Sequence, residues 1–353
     1  MDNAIEAITE KSTIKNEDVP IGEIGYGKGG KLIGLSPIKH IGGNGIAGFP
    51  ASRKWHTIAY GNGRFVCIVN GSTIAAHSTD GIIWEEVTLP VSEGWTGCCF
   101  GNGMFIAIAN NTANYIYSYD GIEWTKGTLP AKPYWNMSAY GAGKFVIIGY
   151  NSNIFAYSED GINWTKGTLP RKGYWCSMTY ADGVFLAVPY GETGGLRSVD
   201  GVNWEQITLP SATGWNTVCG FDGRIAVICD DTVVGAYTED KGTTWIEMEV
   251  PSQKIWYHSV VANGRAVCVA ESSNTILHSD DLITWYEHPL GSTEAWCSVA
   301  YGNGKYVTCG RKSNKVSYSF DGENWTTTEN KYVAEITTFP QEGVWLKYGN
   351  FEP

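Results

Sequence analysis

The chain has 353 residues, with 25 Lys+Arg against 36 Asp+Glu and a formal net charge of −11. That balance lacks the basic footprint of a duplex-binding protein, so nucleic acid is excluded as the expected partner. The nine cysteines have no CxxC spacing, and Cys67, Cys98, Cys99, Cys229, Cys268 and Cys309 fall in predicted strands. They read as buried free thiols, with neither a disulfide framework nor a zinc site.

The first ten residues, MDNAIEAITE, carry acids and no basic, apolar-cored leader, so neither a signal nor a transit peptide is expected. Apolar runs are only strand-sized, which argues against membrane insertion and for a product made in a cytoplasm. Residues 1–50 are glycine-rich and poor in large apolar side chains before Ile46. The expectation for them is an arm that orders on a partner or in a homo-oligomer. YGKGGKLIGL (26–35) echoes YGNGKYVTCG (301–310), and Phe49-Pro50 precedes Trp55 as Leu89-Pro90 precedes Trp95.

From about Ala51 to Asn330 the chain repeats. Ser-x-Asp-Gly-x-x-Trp or a close variant begins at Ser78, Ser118, Ser158, Ser198, Thr238, Ser279 and Ser319, in steps of 40 with one of 41. Trp55, Trp95, Trp135, Trp175, Trp215, Trp256 and Trp296 form a second register with the same steps. Seven turns of the YGNG type, centred near Asn62, Asn102, Ala142, Asp182, Asp222, Asn263 and Asn303, form a third. Within one unit WHTIAY (55–60), RFVCIV (64–69), TIAAHS (73–78) and WEEVTL (84–89) are aromatic and β-branched segments parted by turn residues, which predicts a four-stranded antiparallel meander. Seven such sheets bury both faces only when packed around an axis, so the expected fold is all-β, a seven-bladed β-propeller over 51–330. At 331–353, Phe339-Pro340, Trp345 and YGN (348–350) repeat the unit's entry, predicting a partial repeat or closing segment.

The Ser-x-Asp-Gly-x-x-Trp turn resembles the Asp-box of sialidase-type and related propellers, and TEDKGTTW (238–245) has that motif's longer spelling. The resemblance implies a structural turn on the rim, away from the ligand face, for Asp80, Asp120, Asp160, Asp200, Asp240, Asp281 and Asp321. Symmetry agrees, because a reagent is needed once and a fastening once per unit. The sixth copy, SDDLITW (279–285), has Leu282 where glycine is expected, which predicts a looser turn. Sialidases also resemble one another in three substrate-clamping arginines, a Tyr-Glu nucleophile pair, an acid Asp and an Arg-Ile-Pro motif. None of the arginines here, Arg53, Arg64, Arg171, Arg197, Arg224, Arg265 and Arg311, precedes Ile-Pro, and Arg64, Arg224 and Arg265 follow the YGNG turns. No carboxylate pair, histidine cluster, GxSxG or P-loop stands out, so no enzyme and no cofactor are expected.

Loops between units and the turns after each second strand vary while the frame repeats, and they share the face opposite the Asp-box turns. Varied loops on a rigid frame are the usual seat of binding. The candidates there are Tyr134 and Tyr174 beside Trp135 and Trp175, then Lys132, Lys172, Arg53, Lys54, Glu93, Glu294, Arg311 and Lys312. The second-register tryptophans either present aromatic faces to sugars at the channel mouth or pack between units. Asp230-Asp231 is an acidic turn with oxygen ligands for calcium, although no metal is expected from it alone. YGNGRFVCIVNGSTIAAHSTDGIIWEEVTLP (60–90) and its copies further resemble a repeat of tail fibres and other virion proteins of tailed bacteriophages. That resemblance implies a non-enzymatic virion protein, assembled in the host cytoplasm, whose propeller binds a host-surface glycan and whose N-terminal arm meets other virion proteins. The alternatives are a glycan-cleaving propeller and a cellular protein-binding scaffold.

Overall fold

The computed structural model describes residues 24–27, 30–33, 45–211, 214–328 and 332–333. Most of the predicted arm (1–50) and of the closing segment (331–353) lies outside the described residues. Within the arm, Ile24–Gly27 pairs antiparallel with Gly30–Ile33, where the sequence echoes a repeat hairpin. Ile46–Lys331 form one compact unit.

In the first repeat, Trp55–Gly61, Arg64–Val69, Ser72–Ser78 and Glu85–Glu93 pair in chain order as an antiparallel meander. Asn62 and Gly63 both have positive φ (48° and 76°), which is the backbone of a two-residue type I′ hairpin turn. Burial falls from inside outward: Arg64–Val69 is covered on both faces after its first residue, whereas Glu85–Glu93 is largely open on one face. Three further four-stranded sheets begin at Trp95, Tyr134 and Trp175. A nine-stranded antiparallel sheet then runs from Trp215 to Thr327.

The strand segments that carry the seven second-register tryptophans neighbour one another in chain order, and the segment of Trp296 returns to that of Trp55. The return is hydrogen-bonded: Phe49 N donates to Asn314 O at 2.8 Å, Ile58 N to Ser298 Oγ at 3.1 Å and Lys312 N to Arg53 O at 2.8 Å. Each hydrophobic cluster is shared between consecutive repeats, and the one holding Phe49, Trp55 and Trp84 also holds Cys297, Val307 and Tyr318. All seven second-register tryptophans are fully buried (0 % exposed). Truncating one such indole to alanine costs about 3–5 kcal/mol. These tryptophans therefore fill the space between sheets, and the expectation that Trp135 and Trp175 offer stacking faces to a ligand is corrected.

Four of the seven YGNG-type turns are preceded by a glycine, Gly61, Gly101, Gly141 and Gly302, and it has a packing reason. A Cβ on Gly61 would stand 2.0 Å from the Phe100 ring of the next repeat, and one on Gly302 would stand 2.1 Å from the Tyr60 ring. The turn residue bonds forward as well: Asn62 Nδ2 donates to Tyr119 O at 2.7 Å, and Asn303 Nδ2 to Thr79 O at 2.6 Å. The Ser-x-Asp-Gly-x-x-Trp turns therefore share one face with the YGNG turns, as the strand order requires.

In the third copy of the Asp turn, Ser158 Oγ donates to Asp160 Oδ1 (2.9 Å) and accepts from Gly161 N (2.8 Å). Asp160 Oδ1 also accepts from Ile162 N (2.9 Å) and Asn163 N (2.7 Å), and Trp164 Nε1 donates to Gly161 O (3.1 Å). The first, fourth and seventh copies repeat the Ser-Asp pattern. The sixth departs from expectation. Leu282 takes φ 62°, its N–H still bonds Ser279 Oγ at 2.8 Å, and its side chain is fully buried. The turn is therefore as tight as the others, because leucine burial offsets the left-handed strain.

Candidate functional site

Every second-register tryptophan is followed by a break in strand register, between Trp55 and Thr57, Trp95 and Gly97, Trp135 and Met137, and so on to Trp296 and Ser298. A β-bulge leaves one residue unpaired and re-aims its side chain. The bulged residues are His56, Thr96, Asn136, Cys176, Asn216, Tyr257 and Cys297, and all seven line one cavity of about 460 Å³ together with Tyr134 and Tyr150. That is the mouth of the axial channel. Four of the seven stitch to the next repeat: Thr96 Oγ1 donates to Trp135 O (2.7 Å), Asn136 Nδ2 to Trp175 O (3.0 Å), Asn216 Nδ2 to Trp256 O (2.9 Å) and Cys297 Sγ to Trp55 O (3.4 Å). Sequence reasoning missed this ring, although its signal was present in the one position after each tryptophan whose chemistry changes from copy to copy.

A second ring stands at the ends of the second strands, one residue past the partner of each tryptophan: Asn70, Asn110, Tyr150, Tyr190, Asp230, Glu271 and Arg311. Two sides of the mouth differ. On one, Tyr134, Tyr150 and Tyr174 form an aromatic arc with centroids 5.7 Å and 5.4 Å apart. Tyr134, Tyr174 and Tyr190 are exposed (37, 42 and 46 %), and Tyr190 N bonds Tyr174 O at 2.8 Å. The predicted pair Tyr134 and Tyr174 is thus brought together, with Tyr150 wedged between its members and Tyr190 extending the row.

On the other side, Arg311 bonds Glu271 Oε1 (3.1 Å), the Tyr257 hydroxyl (2.5 Å) and His56 Nε2 (3.4 Å), with its guanidinium 4.6 Å from the Tyr257 ring centroid. Accepting from Arg311 makes His56 Nε2 a lone-pair site, so the proton sits on Nδ1, a buried atom without a hydrogen-bond partner. Burial, then Arg311 and His258, pull His56 down to about 4, and burial alone does the same to His258. Both imidazoles are therefore neutral at pH 7. His258 Nδ1 accepts from Val299 N at 3.4 Å, which fixes that tautomer.

The remaining predicted residues are dispersed. Arg53 grips Glu86 with both prongs (2.7 and 3.0 Å), so its fork is already occupied. Lys132 and Lys172 are exposed, and neither enters an ion pair among the described residues. Lys315 pairs with Glu294 at 3.0 Å, and Glu93 takes hydrogen bonds from Asn114 Nδ2 and Thr112 Oγ1. Asp230 has a buried Oδ1 with no hydrogen-bond donor, and Asp231 accepts from Gln253 at 3.3 Å. Among the described residues no group of three or more His, Cys, Asp or Glu could hold a metal ion. Among the described residues no helix is long and apolar enough to cross a membrane. Of the nine cysteines, Cys98, Cys99 and Cys176 are half-buried and the rest are buried.

Compared with protein-family models and with curated protein sequences, the chain matches none. Its shape is similar to solved structures. A streptogramin B lyase superposes with a TM-score of 0.68 at 14 % identity, covering 78 % of this chain and 96 % of that one. YCF48 bound to D1 peptide superposes at 0.60 with 13 % identity, covering 77 % and 94 %. PorZ, a surface component of the type-IX secretion system of Porphyromonas gingivalis, superposes at 0.60 with 11 % identity, covering 83 % of this chain and 40 % of that one. At such identities the likeness speaks to fold alone, and the fold of this chain is a β-propeller.

Proposed function

We propose that the chain is a seven-bladed propeller that binds a host-surface glycan at its axial mouth without cleaving it, as the receptor-binding part of a tailed-phage virion. Seven blades follow if the nine-stranded sheet is three blades joined by continuous strands. Arg224–Thr238 then supplies two strands of one blade, turning at Asp231 (φ 49°), while Ile246–Ala262 and Tyr286–Gly302 each leave one blade and enter the next. The seven turn aspartates act in this reading as Asp-box fastenings, because their oxygens are taken up by their own turns.

The observation that carries the binding reading is the tyrosine arc. Three tyrosines gathered at the mouth by two consecutive repeats present wide, stiff, half-polar faces at little entropic cost. Sugars offer flat C–H faces and hydroxyls to such a surface, and the Asn, Ser and Thr side chains of the cavity wall offer donors and acceptors beside it. A cleaving enzyme is favoured by one observation only, the Tyr257 hydroxyl held by Arg311 next to neutral His258 at the cavity wall. The test is incubation with a panel of bacterial surface polysaccharides, scoring retention and, by mass spectrometry, released fragments. Retention without fragments, lost in a Tyr134→Ala/Tyr174→Ala double variant, is the expected result. Fragments would establish the enzyme reading, and retention unaffected by the double variant would remove the arc from the site.

A further inference from the structure

The aromatic arc ends on a carboxylate. Tyr190 and Asp230 occupy the same position in consecutive repeats, and Gly214 lies between them: its backbone bridges to Tyr190, and its carbonyl accepts from Asp230 N at 2.6 Å. A Cβ on Gly214 would stand 2.7 Å from Tyr190 Cε2 and 3.4 Å from Asp230 Cβ. The missing side chain therefore lets the Tyr190 ring edge and the Asp230 side chain flank one glycine. Cys176, which lines the cavity, lies close enough to Asp230 for the carboxylate to help push its thiol up to about 12, after burial.

Asp230 differs from Glu271 and Glu294, the other acids of the mouth that face a cation. Glu271 is held by Arg311 and Glu294 by Lys315, whereas Asp230 forms no ion pair among the described residues and keeps a buried Oδ1 without a donor. Burial, then Asp231 and Glu271 nearby, raise its carboxyl above the ordinary range, which a cation placed against it would reverse. Aromatic faces next to one uncompensated carboxylate form the setting that recognises an organic cation, by ring quadrupole and Coulomb attraction together.

Resting on the glycan-binding reading, we infer that the mouth takes an ammonium group carried on the glycan, as in a free amino sugar, against Tyr150, Tyr174, Tyr190 and Asp230. The class of receptor is then a polysaccharide with unacetylated amino sugars. The net charge of −11 also favours a cationic ligand.

Calorimetry with glucosamine tetramer, N-acetylglucosamine tetramer and phosphocholine tests this on the full chain. The expected result is glucosamine tetramer bound about tenfold tighter than its acetylated twin, a preference that drops to near one in Asp230→Asn. Tyr190→Leu, which keeps the carboxylate, should weaken the amino form several-fold more than the acetylated form. Urea midpoints of both variants verify folding. Equal binding of the two tetramers, or a preference untouched by Asp230→Asn, overturns the ammonium assignment and leaves glycan binding standing. Phosphocholine bound in preference to glucosamine tetramer overturns the amino-sugar source. Failure of every polysaccharide in the panel above would instead remove the reading on which the inference rests.

Discussion

The turn aspartates are best tested by comparing Asp160→Ala with Ser158→Ala. Asp160→Ala frees the N–H groups of Ile162 and Asn163, and both bonds are at the surface, where water substitutes for the carboxylate. The loss is that of an exposed cap, about 1 kcal/mol. Ser158 is 2 % exposed, and its Oγ is the acceptor for the buried Gly161 N–H. Ser158→Ala strands that donor away from water, costing about 1–3 kcal/mol. The less acidic-looking residue of the motif is thus expected to cost at least as much. The pH dependence separates them further. The Asn163 backbone N–H, then the Asn163 side-chain amide, hold the Asp160 carboxyl well below the usual carboxylate range. A depressed folded-state pKa contributes stability that is complete above the unfolded value near ~3.9 and fades as pH falls toward the folded value. The gap between the parent chain and Asp160→Ala should narrow in acid, whereas the gap for Ser158→Ala should narrow less, because the Ser158 hydroxyl is the smallest of the groups that hold the carboxyl down. Urea denaturation followed by tryptophan fluorescence at pH 7 and pH 3 measures both. An Asp160→Ala chain of unchanged stability that no longer retains polysaccharide would refute the fastening role.

Leu282→Gly sets two effects against each other: relief of left-handed strain, about 1 kcal/mol, and loss of a fully buried leucine, more than 2 kcal/mol. A net destabilisation of about 1–2 kcal/mol is expected, and a stabilised variant would show that the leucine does not pack. Tyr150→Ala, with both neighbouring rings left in place, should weaken polysaccharide binding about three- to tenfold, with the urea midpoint nearly unmoved. Because His56 and His258 have folded-state values near 4, the unfolded chain binds more protons between that value and ~6.5. Stability is therefore expected to fall as pH drops through this window, and a flat melting profile from pH 7 to pH 4.5 would contradict neutral burial. Burial pushes the Cys219 thiol up to about 12 and Cys99 to about 11. A thiol reagent at pH 8 should label these two only after denaturation.

The frame was legible because it is written seven times. Asn62, Ala142 and Asp182 share no chemistry, yet each takes positive φ (48°, 48° and 49°) before a glycine that does the same, and the repeat alone located all three. Strand limits in the first repeat differ from expectation mainly at the fourth strand, which begins at Glu85 and runs on to Glu93. WEEVTL carries too little periodicity to mark an end, and the loop VSE continues the ladder. The site was legible only in part, for a related reason. Periodicity identifies what all repeats share, such as the buried Trp135 and Trp175, and shared residues are what a symmetric ring needs for packing. Tyr134 and Tyr174 were visible as departures from the pattern. The bulge that turns His56, Asn136 and Tyr257 toward the axis was not, because a one-residue slip beside a tryptophan leaves no mark in composition. Nor did sequence tell Asp230 from Glu271: each is an acid closing a strand. The difference lies in Arg311, which stands one repeat beyond Glu271 and satisfies it, leaving Asp230 beside a row of tyrosines with its charge unanswered.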